Sequence, residues 1–581
     1  MSYIEMESRP TTAATNGLEK QPQGQLDNDK VRTENVVGDG DAPSEKTAEQ
    51  TYPPLRTVLV VMAALYLAMF LVSLDRIIIA TAIPRITDEF HSINDIGWYG
   101  SAYVLSSCAT QLLFGRIYAF YKNKVVFLAA IVLFEAGSAL CGAAPNSVAF
   151  ILGRALAGAG SAGVMAGAIV LSIPLVPLDK RPMFQSMLGA IFGVSSAIGP
   201  LIGGAFTSNV HLTWRWCFYI NLPIGGASIV LILLFLHLPQ PPRSHALPAL
   251  EKAKRMDPIG TLLFTPAVVC FLLALEWGGT VYAWNSGRVI ALFVVSGVLF
   301  VAWVASQAWL GSEYATVPGR IIRQRSVMAG FVFSMCNGGV LLSFTYYLAV
   351  WFQAIQGVDA LQSGIRSLPF VLALVVASII GGGLTTRFGY YTPFAIACSC
   401  LLSIGVGLTT TLQVDSGHSM WIGYQVVAGL GMGFGMQMSS LAAQTVLAPP
   451  DVPVGASLMF FGQGLGGSVF LCVTQSIFLQ KLFQDLSTVM PAEAARQLVN
   501  TGATAIRSAV SASLLPAALV EYNKALTTAY YVPLAVACFG IVPALCFEWK
   551  SVKKAREAMM AGQKPAAATT AKNGEDASSA V

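Results

Sequence analysis

The sequence predicts an all-α polytopic membrane protein of about fourteen transmembrane helices, and three observations predict it. Of 581 residues, 55% are hydrophobic and only 11% charged, against about 25% charged in an average soluble domain. With a mean hydropathy of +0.63, so few charges could not cover the surface of a water-soluble chain this long. Apolar stretches of the roughly 20 residues needed to cross a bilayer recur along most of the length. The loops between them alternate in charge. Because the apolar runs are continuous and lack barrel-type alternation, the spans are expected to be helices.

Taken in order, residues 1–54 are rich in Glu, Asp, Lys, Gln, Gly and Pro, the composition of a disordered tail. The first span, 57–83, opens with the uncharged TVLVVMAALYLAMF and continues into LVSLDRIIIATAIPRI, where Asp75 and Arg76 stand side by side. A charge near the bilayer centre costs about 2.5–3.5 kcal/mol, so two adjacent ones need a reason. Spans 97–120 and 124–144 follow, the latter with Glu135 midway, and 149–174 opens on GRALAGAGSAG, which begins one residue before Arg154. Span 183–207 holds GAIFGVSSAIGPLIGG. There Pro200 removes one backbone hydrogen bond, and Gly189, Gly193, Gly199, Gly203 and Gly204 predict a smooth stripe on which a neighbouring helix can pivot. Span 215–237 completes a first set of six. Two further spans, 258–277 and 288–309, precede a second set at 327–353, 364–386, 393–412, 420–446, 454–479 and 529–549. The segment of about 480–528 alternates amphipathic pieces with polar turns, and a helix along the outer leaflet is expected there. The tail, 550–581, again reads as disordered.

Loop charges orient these spans. With the N-terminus inside, the inner loops hold Lys122 and Lys124, Lys180 and Arg181, Arg243 to Arg255, Arg320 to Arg325, and Arg387. The outer loop after the first span holds Arg85 beside Asp88, Glu89 and Asp95. Basic residues concentrate on the cytoplasmic side of membrane proteins, so both termini are expected in the cytoplasm. The net charge of +5 therefore sets topology and does not point to nucleic acid. Met1 opens a polar tail, so no cleaved secretory signal is expected, and no N-x-[ST] sequon occurs in the sequence. The ten cysteines fall in apolar segments without metal-ligand spacing, and small buried hydrophobes are expected.

Several catalytic patterns are excluded. Gly158, Gly160 and Gly163, and again Gly462, Gly464 and Gly467, have G-x-G-x-x-G spacing, but a dinucleotide site needs that motif between a strand and a helix. Here both lie inside apolar helices, where small residues let backbones approach closely. No GK dipeptide and no H-E-x-x-H occur, so neither a phosphate loop nor a zinc-protease site is present. The five histidines fall in loops or at helix ends, and a proton path would need carboxylates. No enzyme activity, metal or cofactor is expected.

The polar groups within the spans point to transport. Asp75, Arg154 and Glu135 are candidates for proton handling, and intramembrane ionisable residues commonly mark ion pathways. Gln111, Asn221, Asn337, Tyr346, Tyr347, Trp351, Gln353 and Gln463 could line an amphipathic cavity, though interhelical hydrogen bonding would use the same residue types. The chain resembles the fourteen-helix drug:proton antiporter branch of the major facilitator superfamily, most of all the fungal toxin and multidrug exporters. LDRIIIATAIP resembles the branch's first-helix motif through Asp75, Ala82 and Pro84. GRALAGAGSAG resembles its fourth-helix motif through Arg154, Gly158 and Gly160. GVSSAIGPLIGG resembles the helix-five antiporter motif through Gly199, Pro200, Gly203 and Gly204, preceded by Gly193. WRWCFYINLPIG and YYLAVWFQAIQGVDALQSGIRSLP resemble further signatures of the fungal group.

The resemblance implies two six-helix bundles, 55–240 and 326–549, with two additional helices in 241–325 between them. It also implies a midplane substrate site that opens alternately to the two faces. Ala119 and Thr386 stand where relatives carry gating-loop acids, so that gate is not carried over. The expected function is proton-coupled efflux of a small amphipathic toxin, secondary metabolite or drug, by a monomer in the plasma membrane. Its partners would be substrate, protons and the lipid bilayer. The alternative is proton-driven uptake of an organic nutrient or iron chelate.

Overall fold

The computed structural model describes residues 53–92, 95–209, 211–237, 248–279, 281–501 and 506–561. The N-terminal tail up to residue 52 and the C-terminal residues from 562 lie outside the described residues. Fourteen long helical spans run in order. They are α1 (Leu55–Phe90), α2 (Ile96–Phe120), α3 (Asn123–Ala143), α4 (Ser147–Leu175), α5 (Arg181–Ser208) and α6 (Trp216–Phe235). The next two are α7 (Pro258–Trp277) and α8 (Gly287–Tyr314). The last six are α9 (Arg325–Ala354), α10 (Ala360–Phe388), α11 (Thr392–Thr409), α12 (His418–Val446), α13 (Val452–Leu486) and α14 (Leu515–Cys546). All but α2 are long and apolar enough to cross a membrane by themselves. The second span carries Ser101, Ser106, Ser107, Thr110, Gln111 and Arg116 among its apolar residues.

Contacts sort these helices into two groups. Helices α1 to α6 pack on one another, with α3 against α4 and α1 against α5 as main seams, and α9 to α14 do likewise through α9–α13, α10–α12 and α11–α12. Between the groups, α5 lies along α10 and α2 along α13. The pair α7–α8 packs on α2 and α13. Separate buried clusters mark the two halves, one around Phe127, Phe134 and Ile169, the other around Phe333, Phe344 and Trp351.

The α7–α8 pair is held by a residue that sequence reading passed over. Asp257, 1% exposed, caps α7 by accepting from the Gly260 amide at 2.6 Å. The same carboxylate accepts from Gln307 at 2.6 Å and from the Thr316 amide and hydroxyl at 3.0 and 2.7 Å. It does so in a left-handed backbone conformation, φ 51°, which Asp and Asn tolerate better than other side chains. A lost cap costs about 0.5–2 kcal/mol and each hydrogen bond to a charged group about 1.5–3 kcal/mol. Asp257→Ala is therefore expected to destabilise the pair by on the order of 3 kcal/mol, read as new protease cleavage near residues 255–260 in purified protein.

Several expected boundaries move. Helix α1 continues to Phe90, so Asp88 and Glu89 sit on a helix instead of in a loop. There Glu89 accepts from Trp214 Nε1 at 2.6 Å and pairs with Arg215 at 2.7 Å. The expected outer segment of about 480–528 shrinks at both ends, since α13 runs to Leu486 and α14 starts at Leu515. Its helix Ala492–Thr501 does not present its apolar face to the leaflet: Ala495 and Leu498 are buried in the core of the second half. The tail beyond 550 begins as a helix, Val552–Ala561. Its Val552 amide donates to the Gly389 carbonyl at 2.8 Å and Lys553 to the Arg387 carbonyl at 2.7 Å. Of the ten cysteines, five are buried and Cys400, Cys538 and Cys546 are exposed on outward helix faces.

The end of the molecule that bears Lys180 and Arg387 is tied shut between the halves. Gln185 on α5 donates to Gln444 on α12 at 2.9 Å, both fully buried. Arg556 of the C-terminal helix pairs with Asp179, in the α4–α5 loop, at 3.0 Å.

Candidate functional site

Adjacent residues on a helix point about 100° apart, and α1 uses that angle to separate its two charges. Asp75 turns inward. Its Oδ2 accepts from Arg154 Nη1 at 2.6 Å, with side-chain exposures of 0% and 1%. Its Oδ1 accepts from Asn221 Nδ2 at 3.2 Å, and the same amide donates to Ser138 at 3.1 Å. Arg154 is satisfied further: Nε donates to the Tyr99 carbonyl at 3.1 Å, and the guanidinium lies over the Tyr103 ring at 4.6 Å. One ion pair thus joins α1, α2, α4 and α6, with α3 reached through Ser138.

Glu135 lies close to this network but outside it. It is 8% exposed, and neither carboxylate oxygen has a hydrogen-bond partner among the described residues. Its carboxylate covers Gly225 of α6, where an added Cβ would collide with the Glu135 side chain. The three residues expected to handle protons therefore occur together. Two are bonded to each other and one has unused acceptors.

Arg76 turns the other way, into a cavity between the halves. Its walls come from α1, α2, α4 and α5 on one side and α9, α12 and α13 on the other. The lining is mostly apolar, with Met69, Met165, Phe192, Leu341, Met436 and Phe460, and its polar groups include Ser73, Ser107, Gln111, Gln437 and Gln463. At about 70 Å³ it has room for a few waters and not for a polycyclic molecule. In this conformation the cavity is a contracted one. Tyr103 belongs to both places: its ring packs on Arg154 and also lines the cavity.

Of the eight residues expected to line the cavity, Gln111 and Gln463 do so. The other six are placed elsewhere. Asn221 bonds Asp75. Asn337 sits behind the wall with Cys398 Sγ 3.8 Å from its Oδ1. Tyr347 and Trp351 are buried in the second half, Trp351 donating to Asn523 at 2.8 Å. Tyr346 is 53% exposed, and Gln353 is half-buried near the end of α9. Aromatics and amides on helices apolar all round carry no sequence signal for which face meets the cavity. Tyr103 was missed for the same reason, and Arg76 was singled out as an intramembrane charge without being placed in the cavity.

The helix-five glycines do not form one stripe. Six residues advance a helix by about 240° beyond a full turn, so Gly193 and Gly199 face different neighbours. An added Cβ on Gly193 would lie 2.7 Å from Val375 of α10, whereas one on Gly199 would lie 3.0 Å from Ile77 of α1. Gly203 also abuts α1, against Thr81 Oγ1 and 2.9 Å from Ile78 Cγ1, while Gly204 meets nothing within 4 Å. Pro200 reaches the start of α10, where a Cβ on Gly364 would lie 3.7 Å from its ring. Helix α5 is thus wedged between one helix of its own half and one of the other. Overpacking costs about 1–3 kcal/mol. Gly203→Ala is expected to lower thermal stability by that amount and to slow transport, and Gly204→Ala to leave stability within about 0.5 kcal/mol, by unfolding in lipid nanodiscs.

Comparison with known proteins agrees with this architecture. The sequence model of the Major Facilitator Superfamily matches residues 65–471. The chain is 50% identical over 506 residues to the rubrofusarin-specific efflux pump aurT of Gibberella zeae, covering 87% of this chain and 92% of that one. It is 50% identical to the MFS-type transporter VdtG of Byssochlamys spectabilis, covering 87% and 90% of the two chains. With the efflux pump aflT of Aspergillus parasiticus the identity is 46%, covering 85% and 96%. Among solved structures, the proton:xylose symporter XylE superposes with a TM-score of 0.55 at 13% identity, covering 87% of this chain and 99% of that one. The human organic anion transporter MFSD10 gives 0.51 at 15%, covering 84% and 100%, and at such identities the likeness speaks to fold alone. With the family match spanning both halves and near-full-length relatives at half identity, the chain belongs to the major facilitator superfamily.

Proposed function

We propose that this protein exports a small amphipathic organic molecule, of the secondary-metabolite or toxin class, in exchange for protons. It acts as a monomer in the plasma membrane, with both termini and the basic end in the cytoplasm. The names of relatives such as the rubrofusarin-specific pump support the direction and the cargo class. The observation that carries the reading is the fully buried Asp75–Arg154 pair at 2.6 Å, one residue along α1 from the cavity wall.

A proton delivered to Asp75 cancels its charge and loosens its hold on Arg154 and Asn221, the contacts that fix α1 to α4 and α6. Tyr103 carries that change to the cavity, because it touches both. Helix α5 follows α1 through the Gly199 and Gly203 contacts, and α5 lies along α10 of the other half. Proton and cargo then favour opposite arrangements of the two halves, and a proton gradient drives cargo outward. Glu135, with two unused acceptors, is a second place for a proton to rest on its way.

The test uses vesicles containing the full chain, an imposed pH gradient and a panel of amphipathic toxins and dyes. Opposed fluxes of proton and cargo are expected. Flux of both in the same direction would establish uptake instead, and movement indifferent to the gradient would establish a facilitator.

A further inference from the structure

The cavity holds a formal charge that the coupling network does not use. Arg76 lines the wall, and no described residue forms an ion pair or hydrogen bond with its side chain. The remaining ionisable lining groups are Tyr103 and Cys108; no carboxylate lines the cavity. The nearest acid in sequence, Asp75, has both oxygens taken by Arg154 and Asn221. Arg76 is half-buried; an unpaired charge withdrawn from water is unfavourable, and intramembrane charges are kept where they find a partner. Among the described residues Arg76 has none.

We propose that Arg76 is the recognition group for an anionic cargo: its guanidinium pairs with a carboxylate, phenolate or enolate on the exported molecule, whose apolar body packs against Met69, Phe192, Leu341 and Phe460. A guanidinium offers a planar fork of donors that matches two-oxygen anions. The aromatic and thioether wall suits a flat ring system. Gln111 and Gln463 are placed to accept or donate to neutral oxygens on the same molecule. The same charge disfavours cations, so cargo choice is set by sign as well as by size. This rests on the proposed export function for the direction of movement and not for the binding itself.

Binding is therefore measured without a gradient, by fluorescence anisotropy on the purified full chain in nanodiscs at pH 7.5. The probes are two xanthene dyes of similar size, anionic fluorescein and cationic rhodamine 123. Wild type is expected to bind fluorescein at least tenfold tighter. Arg76→Gln is expected to weaken fluorescein at least tenfold and leave rhodamine within twofold, Arg76→Lys to weaken fluorescein about threefold, and Arg76→Glu to reverse the preference. Equal binding of the two dyes by wild type, or equal loss of both in Arg76→Gln with Arg76→Glu showing no gain for rhodamine, would overturn it. Loss of gradient-driven export with the binding preference intact would count against the export function alone.

Discussion

Asp75→Asn is expected to reduce proton-driven transport to the level of protein-free vesicles and to destabilise the fold by about 3–5 kcal/mol. The second figure follows from the surroundings of Arg154. Removing one member of a buried ion pair leaves the other charge without compensation, which costs about that much. Asparagine keeps the shape and the contact to Asn221, so the loss comes from charge and not from a cavity. The double variant Asp75→Asn with Arg154→Gln removes both charges and should recover most of the stability, because a neutral pair is no longer penalised. It should not recover coupling. Chemical unfolding in nanodiscs reads the first effect, and proton and dye fluxes in vesicles read the second. Opposed fluxes surviving in Asp75→Asn would remove Asp75 from the coupling.

The second large effect is structural. Gly160→Val should prevent accumulation of folded protein. A Cβ at Gly160 would press on the backbone nitrogen of Phe134, 2.7 Å from its Cα and 2.9 Å from the Ala130 carbonyl oxygen. Backbone atoms of α3 cannot rotate away as a side chain can, and valine adds two methyls at that point. Two residues earlier, Gly158 abuts the Tyr103 carbonyl of α2, so α4 is clamped on both sides within one turn. Overpacking usually costs about 1–3 kcal/mol; with backbone on both sides the cost should reach or exceed the top of that range. Gly226→Val in α6, where a Cβ meets nothing within 4 Å, should accumulate normally. Yield of monodisperse protein from membranes compares the two.

Much of this fold was legible because span length and loop charge are one-dimensional signals. The last span was the largest error in length, since Tyr530 and Gly540 interrupt a helix that begins at Leu515, and Leu515–Ala529 is mixed enough in polarity to read as a loop. The site was legible where motif residues carry charge: Asp75 and Arg154 meet, and Glu135 lies near them. The cavity was not, because a helix apolar all round gives no phase to read. Asp257 was passed over because it lies outside the spans, where a carboxylate is unremarkable until its three partners are seen. The amide pair Gln185–Gln444 joins residues 259 positions apart, a separation that no local pattern encodes.

The divergent facing of Asp75 and Arg76, about 100° apart on one helix, has a consequence for how such pumps diversify. On the roles proposed above, energy transduction and cargo choice would reside in adjacent codons, with the Asp75 side chain in the buried pair and the Arg76 side chain on the cavity wall. On that reading, a substitution at position 76 would change the sign of the preferred cargo while the Asp75–Arg154 pair stays whole. A lineage would then be redirected from one class of metabolite to another in a single mutational step, without passing through an uncoupled ancestor. A one-residue insertion in α1 ahead of Leu74 has the opposite character, since it turns both groups by about 100° together and takes away coupling and selectivity at once.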